Sequence, residues 1–294
     1  MFYAQEIVAC LGMERACSFY NLSDEQYFFY LGFLNNDDPL PSFIPTGAMV
    51  YQPRNSGFFS VIENMIVAAY VARLSNKTLL IDNTYAWWNY EEDFGDIFRN
   101  AFGWKLVDKL PNDAHAVHFE SMRDFIFKGG EVYLQQFYKF KLQMYGSILK
   151  DIRRYYNGEL FNVEGAGLMF LRGGDKAQVE APLQPWEHYI HDLTELSRRV
   201  SRVLILSDEY NAAAYARAGT TARNITPNDH NGYHHRFGEK VSCLPILKNY
   251  LALVDCLESV SCPSANLVNA AHWSRSNDTF NYNTYNPVYR YALI

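Results

Sequence analysis

Apolar residues recur at helical spacing from Phe58 to Leu74, at Phe58, Val61, Ile62, Met65, Ile66, Ala69 and Val71, and this spacing predicts a helix. A short apolar run, Gly47 to Gln52, precedes it across the turn Pro53 to Gly57, and a second run, Lys77 to Asp82, follows it between Ser75-Asn76 and Asn83. Strand, glycine turn, helix and strand make one βαβ crossover. The first 45 residues are rich in aromatics and acids, and the run NNDDPLPSFIPTG, Asn35 to Gly47, is dense in turn formers and reads as a loop leading into the first strand. Between Thr84 and Leu160 the pattern is mixed. Its one clear element is an amphipathic helix from about Val132 to Tyr156, ended by Asn157-Gly158.

From Ala166 onward the alternation sharpens. Gly167 to Arg172 reads as a buried strand, and Pro185 to Val200 as a helix with Trp186, Tyr189, Ile190, Leu193 and Leu196 on one face, its proline suited to the first turn. A strand at Arg202 to Ser207, a helix at Asp208 to Ala218 and a loop at Gly219 to Phe237 follow. The last units are a helix near Leu244 to Leu257, a strand at Ser259 to Cys262 and a helix opening at Ser264. Short apolar strands alternating with helices predict parallel sheets, so the chain reads as α/β, with two Rossmann-type doubly wound domains facing an interdomain cleft. The expected boundaries are 1–160 for an N-terminal α/β domain on the acceptor side and 161–294 for a nucleotide-binding domain. No internal sequence repeat or low-complexity tract interrupts them.

Composition narrows the classes. The 294 residues are 49% apolar and 20% charged with a net charge of −6, which is globular and lacks the basic field that a nucleic-acid partner needs. No stretch reaches the apolar length of a membrane span, and the segment MFYAQEIVACLGMER lacks a signal peptide's positive start and long apolar core, so a cytoplasmic protein is expected. Five cysteines without CxxC or zinc-ligand spacing read as reduced, buried thiols. With 22 Tyr, 20 Phe and 5 Trp, aromatic surface is available both for a core and for stacking on sugar rings.

The segment richest in chemistry follows the strand that ends at Arg172. An arginine at the carboxyl end of a buried strand can grip a phosphate through two parallel hydrogen bonds, and Gly173 and Gly174 let the backbone approach a ligand. Lys176 adds a mobile cation, the helix opening at Pro185 adds partial positive charge, and Glu180 supplies a carboxylate in the same segment. Cations for a leaving pyrophosphate beside a carboxylate for an attacking hydroxyl are the parts of a metal-independent sugar transfer. The same residues also describe a solvated surface loop with Arg-Asp and Lys-Glu pairs.

The stretch FLRGGDKAQVEAP, from Phe170 to Pro182, resembles the HVRRTDKxxxEA signature of the α1,6-fucosyltransferase family, which includes the bacterial nodulation and animal core fucosyltransferases. Asp175, Lys176 and Glu180 match in identity and spacing, and Arg172 matches the first arginine of the pair. Four further segments agree in order: NSGFFSVIEN at Asn55 with the family's GCGFGCQLHH turn, KTLLID at Lys77 with RTLIL, RVLILSDE at Arg202 with RVYLATDD, and SVSCPSANL at Ser259 with FLVCTPSSNL. The resemblance implies a GT-B-like, inverting enzyme that needs no metal and no cofactor beyond its nucleotide-sugar donor. It makes Arg172 the β-phosphate ligand, Glu180 the general base and Lys176 a support for the charge relay. Ser264, Ala265 and Asn266 at the last helix, with Gly57 and Phe58 in the first turn, would line the donor site together with Phe170, Gly173 and Asp175. Asp208 and Glu209 match the family's acidic pair, and a helix N-cap explains them as well.

Three departures bear on the donor. Gly173 replaces the second arginine, Phe170 replaces the preceding histidine, and Ala265 replaces the second serine. The base-contacting aspartate of the family falls near Asn249 or Asp255. A GDP- or UDP-linked sugar, whether fucose, xylose or rhamnose, fits these changes, with an oligosaccharide or glycoprotein glycan as acceptor. The alternative is a noncatalytic protein on the same fold that binds glycans or nucleotide sugars. His235 and Arg236, in NDHNGYHHRF, are candidates for the donor pocket. The histidines of that run lack a second ligand cluster, so no metal site is predicted. Tyr85, Trp87, Trp88 and Tyr90 are candidates for stacking on acceptor sugars or for an aromatic core corner.

Overall fold

A computed structural model describes residues 49–51, 57–74, 79–82, 90–98, 105–107, 115–116, 130–171, 186–217, 220–228, 240–261 and 266–275. Chain contacts divide into two compact units, one of Met1–Asn89 with Asp93–Asp151, the other of Tyr90–Glu92 with Ile152–Ile294.

In the first unit, strand β1 (Met49–Tyr51) leads to helix α1 (Phe58–Leu74) and strand β2 (Leu79–Asp82). Helix α2 (Phe94–Ile97), strands β3 (Lys105–Val107) and β4 (His115–Ala116) and helix α3 (Gly130–Tyr155) follow. The sheet order is β3-β2-β1-β4, all parallel, with Val50 opposite Leu80 and Ala116. The predicted α1 agrees with the observed helix at both ends. Its burial is wider than one face, because Phe59, Val67, Ala68 and Tyr70 are enclosed along with the residues that set the spacing. A helix apolar all round lies inside its domain. Each fully buried Ile or Met side chain there contributes on the order of 1.5–3 kcal/mol.

Helix α3 covers α1 through Tyr70, whose ring lies 5.3 Å from both Phe137 and Phe140, and Arg73 sits 5.7 Å over the Phe140 ring. Lys141 is almost wholly buried, and a lone cation there would be costly. Its Nζ is 3.0 Å from Glu63 Oε2, and Tyr145 donates its hydroxyl proton to the same carboxylate. Asp93 caps α2, its Oδ1 accepting from the Gly95 N–H at 2.7 Å.

The second unit repeats the plan. Strand β5 (Gly167–Leu171), helix α4 (Trp186–Arg199), strand β6 (Val203–Ser207), helix α5 (Tyr210–Arg217) and strand β7 (Arg223–Asn224) run outward in one direction. Helix α6 (Leu244–Asp255) then carries the chain back to strand β8 (Glu258–Ser261), and helix α7 (Asn266–Arg275) follows. The parallel order is β7-β6-β5-β8. Met169 and Leu171 pack with Leu193, Leu196, Val200 and Ile205 in one core, while Leu168 and Phe170, alternating to the other face, are equally buried. A strand buried on both faces is why this run reads as continuously apolar. Two glycines shape its entry. Gly165 takes φ 67° in the turn before the strand, and at Gly167 a Cβ would meet Val200 Cγ2 at 2.7 Å and Leu196 Cδ1 at 2.8 Å.

Strands β3, β4 and β7 and the single-turn α2 are additions to the predicted elements. Segment Tyr90–Glu92 belongs to the second unit, where Tyr90 bridges Val241 and the Glu91 N–H donates to the Val241 carbonyl at 3.1 Å.

Candidate functional site

In a parallel sheet the carboxyl ends of all strands share one edge, and the crevice opens where successive crossovers change direction. In the second unit the chain steps from β5 to β6 to β7 on one side and returns to β8 on the other. The change of direction therefore lies between β5 and β8. Register fixes the edge: Leu171 pairs with Ser207, and Phe170 with Ser261. The chain leaving β5 at Leu171 continues with Arg172, and the chain leaving β8 at Ser261 reaches Asn266, the first residue of α7, after four residues. The two strands flanking the crevice are thus followed in the sequence by the two segments, Arg172 to Glu180 and Ser264 to Asn266, that the resemblance assigns to the donor site.

The neighbouring strand ends form a buried polar edge. Ser207 and Asp208 are enclosed at the end of β6, and Thr226 beyond β7. The Ser207 N–H donates to Thr226 Oγ1 at 2.9 Å, the Thr226 N–H to Asn224 Oδ1 at 2.9 Å, and the Glu209 N–H to Ser207 Oγ at 3.0 Å. Ser207 Oγ in turn lies 3.4 Å from Asp208 Oδ1. The Glu209 carbonyl accepts from the Ala213 N–H at 3.3 Å, so Glu209 holds the N-cap position of α5 and Asp208 stands one residue outside the helix. Asp208 is then a buried carboxylate just beyond the end of β6.

Gly57 is the N-cap residue of α1, its carbonyl accepting from the Ser60 and Val61 N–H groups at 2.9 and 3.1 Å, and a Cβ there would meet no atom within 4 Å. Phe58 is a core residue, its ring 5.0 Å from Phe59 and 5.9 Å from Phe98, so only its backbone remains for a ligand at the helix terminus. The Phe170 ring is likewise enclosed within the second unit. Tyr90, a stacking candidate, is buried against its bridge to Val241. Asn266 is half-buried at the start of α7. Arg172, Gly173, Asp175, Lys176, Glu180, His235, Arg236, Ser264 and Ala265 lie outside the described residues, as do Tyr85, Trp87 and Trp88.

Sequence reasoning missed two groups. Ser207 and Thr226 link the ends of β6 and β7, but β7 is two residues long and carries no periodic signal. Glu92 clamps the start of α6, accepting from the Cys243 N–H at 2.7 Å and the Ser242 hydroxyl at 2.5 Å. Burial opposes its ionisation, and these hydrogen bonds outweigh it, leaving the Glu92 carboxyl below its ordinary range. Burial, with the Glu92 charge nearby, pushes the Cys243 thiol far up, so this cysteine is an inert core residue. Among the described residues no three His, Cys, Asp or Glu side chains gather for a metal ion, and no helix is long and apolar enough to cross a membrane.

No family model matches the chain, and neither does any curated protein. Among solved structures it is similar to a mutant of Arabidopsis thaliana FUT1 in complex with GDP, at 14% identity and a TM-score of 0.46, covering 92% of this chain and 77% of that one. It is also similar to NodZ α-1,6-fucosyltransferase co-crystallized with GDP, at 10% identity and a TM-score of 0.42 over 77% of this chain and 92% of that one. The fucosyltransferase NodZ from Bradyrhizobium matches at 10% identity and a TM-score of 0.41 over the same shares.

Proposed function

We propose that the chain is an inverting, metal-independent glycosyltransferase that moves a sugar from a GDP- or UDP-linked donor to a glycan hydroxyl. What carries the reading is the strand order β7-β6-β5-β8: its change of direction falls between the two strands whose following segments resemble fucosyltransferase donor-site segments, the one after β5 being the signature that holds Arg172. In this reading the nucleoside diphosphate lies across the carboxyl ends of β5 and β8. Arg172 and the first turn of α7 meet its phosphate charge, and Lys176 adds to the positive field. The acceptor oxygen attacks the sugar's anomeric carbon as the bond to the β-phosphate oxygen breaks. Glu180 takes the hydroxyl proton, and the diphosphate leaves with its charge already matched. Cytoplasmic action and the fucose, xylose or rhamnose donor belong to the same proposal.

The roles separate by mutation. Glu180→Gln removes the base, so transfer falls by about 10²–10⁴-fold while nucleotide affinity stays near that of the parent. Arg172→Ala weakens both nucleotide binding and transfer. Full transfer in Arg172→Ala overturns the assignment.

Gly173, where the family carries its second arginine, favours one other reading, a noncatalytic binder of glycans or nucleotide sugars. Thermal shift with a panel of GDP- and UDP-sugars, followed by a donor-turnover assay, separates them. A sugar nucleotide that stabilises the protein and is never consumed in the presence of glycan acceptors supports the binder.

A further inference from the structure

Helix α7 starts at the crevice and ends at Arg275, which makes the densest set of hydrogen bonds to main-chain oxygens in the second unit's described residues. Nη2 donates to the carbonyls of Cys256 and Leu257, both at 2.7 Å, and Nη1 to the carbonyl of Leu253 at 3.2 Å. Cys256 Sγ and Ser259 Oγ lie at 3.5 Å from Nη1. Leu253 is in the last turn of α6, and its carbonyl is one that a helix end leaves without an intrahelical partner. Leu257 precedes β8, and its own N–H donates to the Ala166 carbonyl at 2.9 Å, just before β5. One guanidinium therefore fastens the end of α7 to the end of α6 and to the amino end of β8, and the Leu257 N–H links that point on to the residue before β5.

That fastening lies at the end of the helix remote from the proposed ligand. Nine steps at about 1.5 Å each put roughly 13–14 Å between Asn266 and Arg275. A helix of that length transmits an axial shift from one end to the other without absorbing it. Tyr250, hydrogen-bonded to Ser274, keeps α7 beside α6. The fork of Arg275, bound to three carbonyls, fixes the far end of the helix along its axis. We infer that Arg275 is a positioning residue for the donor: it sets how far the first turn of α7 projects into the crevice between β5 and β8, and hence how well that turn meets the diphosphate. This inference rests on the glycosyltransferase reading for the identity of the ligand.

The experiment measures GDP and UDP affinity, with thermal stability, in the full chain and in Arg275→Met, Arg275→Lys and Tyr145→Phe. The last loosens the first unit only, and calibrates what lost stability alone does to binding. We expect Arg275→Met to bind the preferred nucleotide at least about tenfold more weakly at a temperature where it is folded, a loss equivalent to roughly one hydrogen bond to a charged group. Arg275→Lys, which keeps the charge and loses the fork, follows Met; Tyr145→Phe keeps parental affinity. Unchanged affinity in Arg275→Met overturns the inference, and so does an equal loss in Tyr145→Phe. If the parent itself binds neither nucleotide, the glycosyltransferase reading falls and the donor role of Arg275 falls with it, an outcome distinct from a parent that binds and an Arg275→Met variant that binds equally well.

Discussion

Burial holds the His272 imidazole neutral, and the neighbouring Arg275 cation adds to the effect, so that its pKa is pulled down to about 3. Below its ordinary pKa near 6.5 the unfolded chain takes a proton on this side chain that the folded chain refuses. Stability is therefore lost as pH falls from about 6.5 towards 3, with a limiting slope of about 1.4 kcal/mol per pH unit. In His272→Gln, whatever the substitution costs at pH 8, unfolding free energies measured across pH 4 to 7 should show a flatter slope by up to that amount. An unchanged slope means that His272 charges in the folded state. Nothing in the sequence marked this residue. A histidine in NAAHWSR carries no sign of being enclosed, because its burial depends on what packs against α7, and that is a tertiary fact.

Between helix and strand, the closest approach in the second unit is at Gly167. Its missing Cβ would stand 2.7 Å from a stiff β-branched side chain, Val200, and under 3 Å from two atoms of Leu196, both in the core. Gly167→Ala must therefore push α4 away from β5 or force rotamers, at about 1–3 kcal/mol, read as a lower urea midpoint. A midpoint equal to the parent's would show that α4 moves freely. Elements of this size were legible in advance: α1, β5, α4, β6 and β8 lie within one or two residues of their predicted ends, because each supplies at least four positions of one period. Strands β3, β4 and β7 have two or three residues, and the turn at Asp93 has four. They are strands through pairing with β2, β1 and β6, a property of the partner that local pattern does not record. Of the candidate site, Arg172 to Glu180, Ser264 and Ala265 lie outside the described residues; what strand order adds is that β5 and β8, which precede those segments in the sequence, are neighbours.

The whole chain is threaded more closely than a cut at one linker suggests. Tyr90–Glu92 leaves the first unit, pairs beside Val241 in the second, and returns at Asp93. Glu92 there supplies the carboxylate that caps α6, which typically stabilises by about 1 kcal/mol. A fragment of residues 152–294 should accordingly exchange the amides of the first turns of α6 faster than the full chain, and Glu92→Ala should reproduce that change without the cut. Because the folded carboxyl ionises below its ordinary range, the difference between parent and Glu92→Ala is fully present above about pH 4.5 and shrinks as acid protonates it. Equal exchange in fragment and full chain would mean that α6 keeps its start without the borrowed segment.

The return of β8 to the far side of β5 also has a kinetic meaning. Strands β5, β6 and β7 are joined by successive neighbouring crossovers, whereas Leu168 pairs with Ser259 across the longest sequence separation in this sheet. Closing that long loop is the pairing with the highest entropic cost, and it comes late. The crevice does not exist until then. A nucleotide bound there stabilises the native state more than the folding barrier, so it acts as a brake on unfolding rather than as a guide to folding.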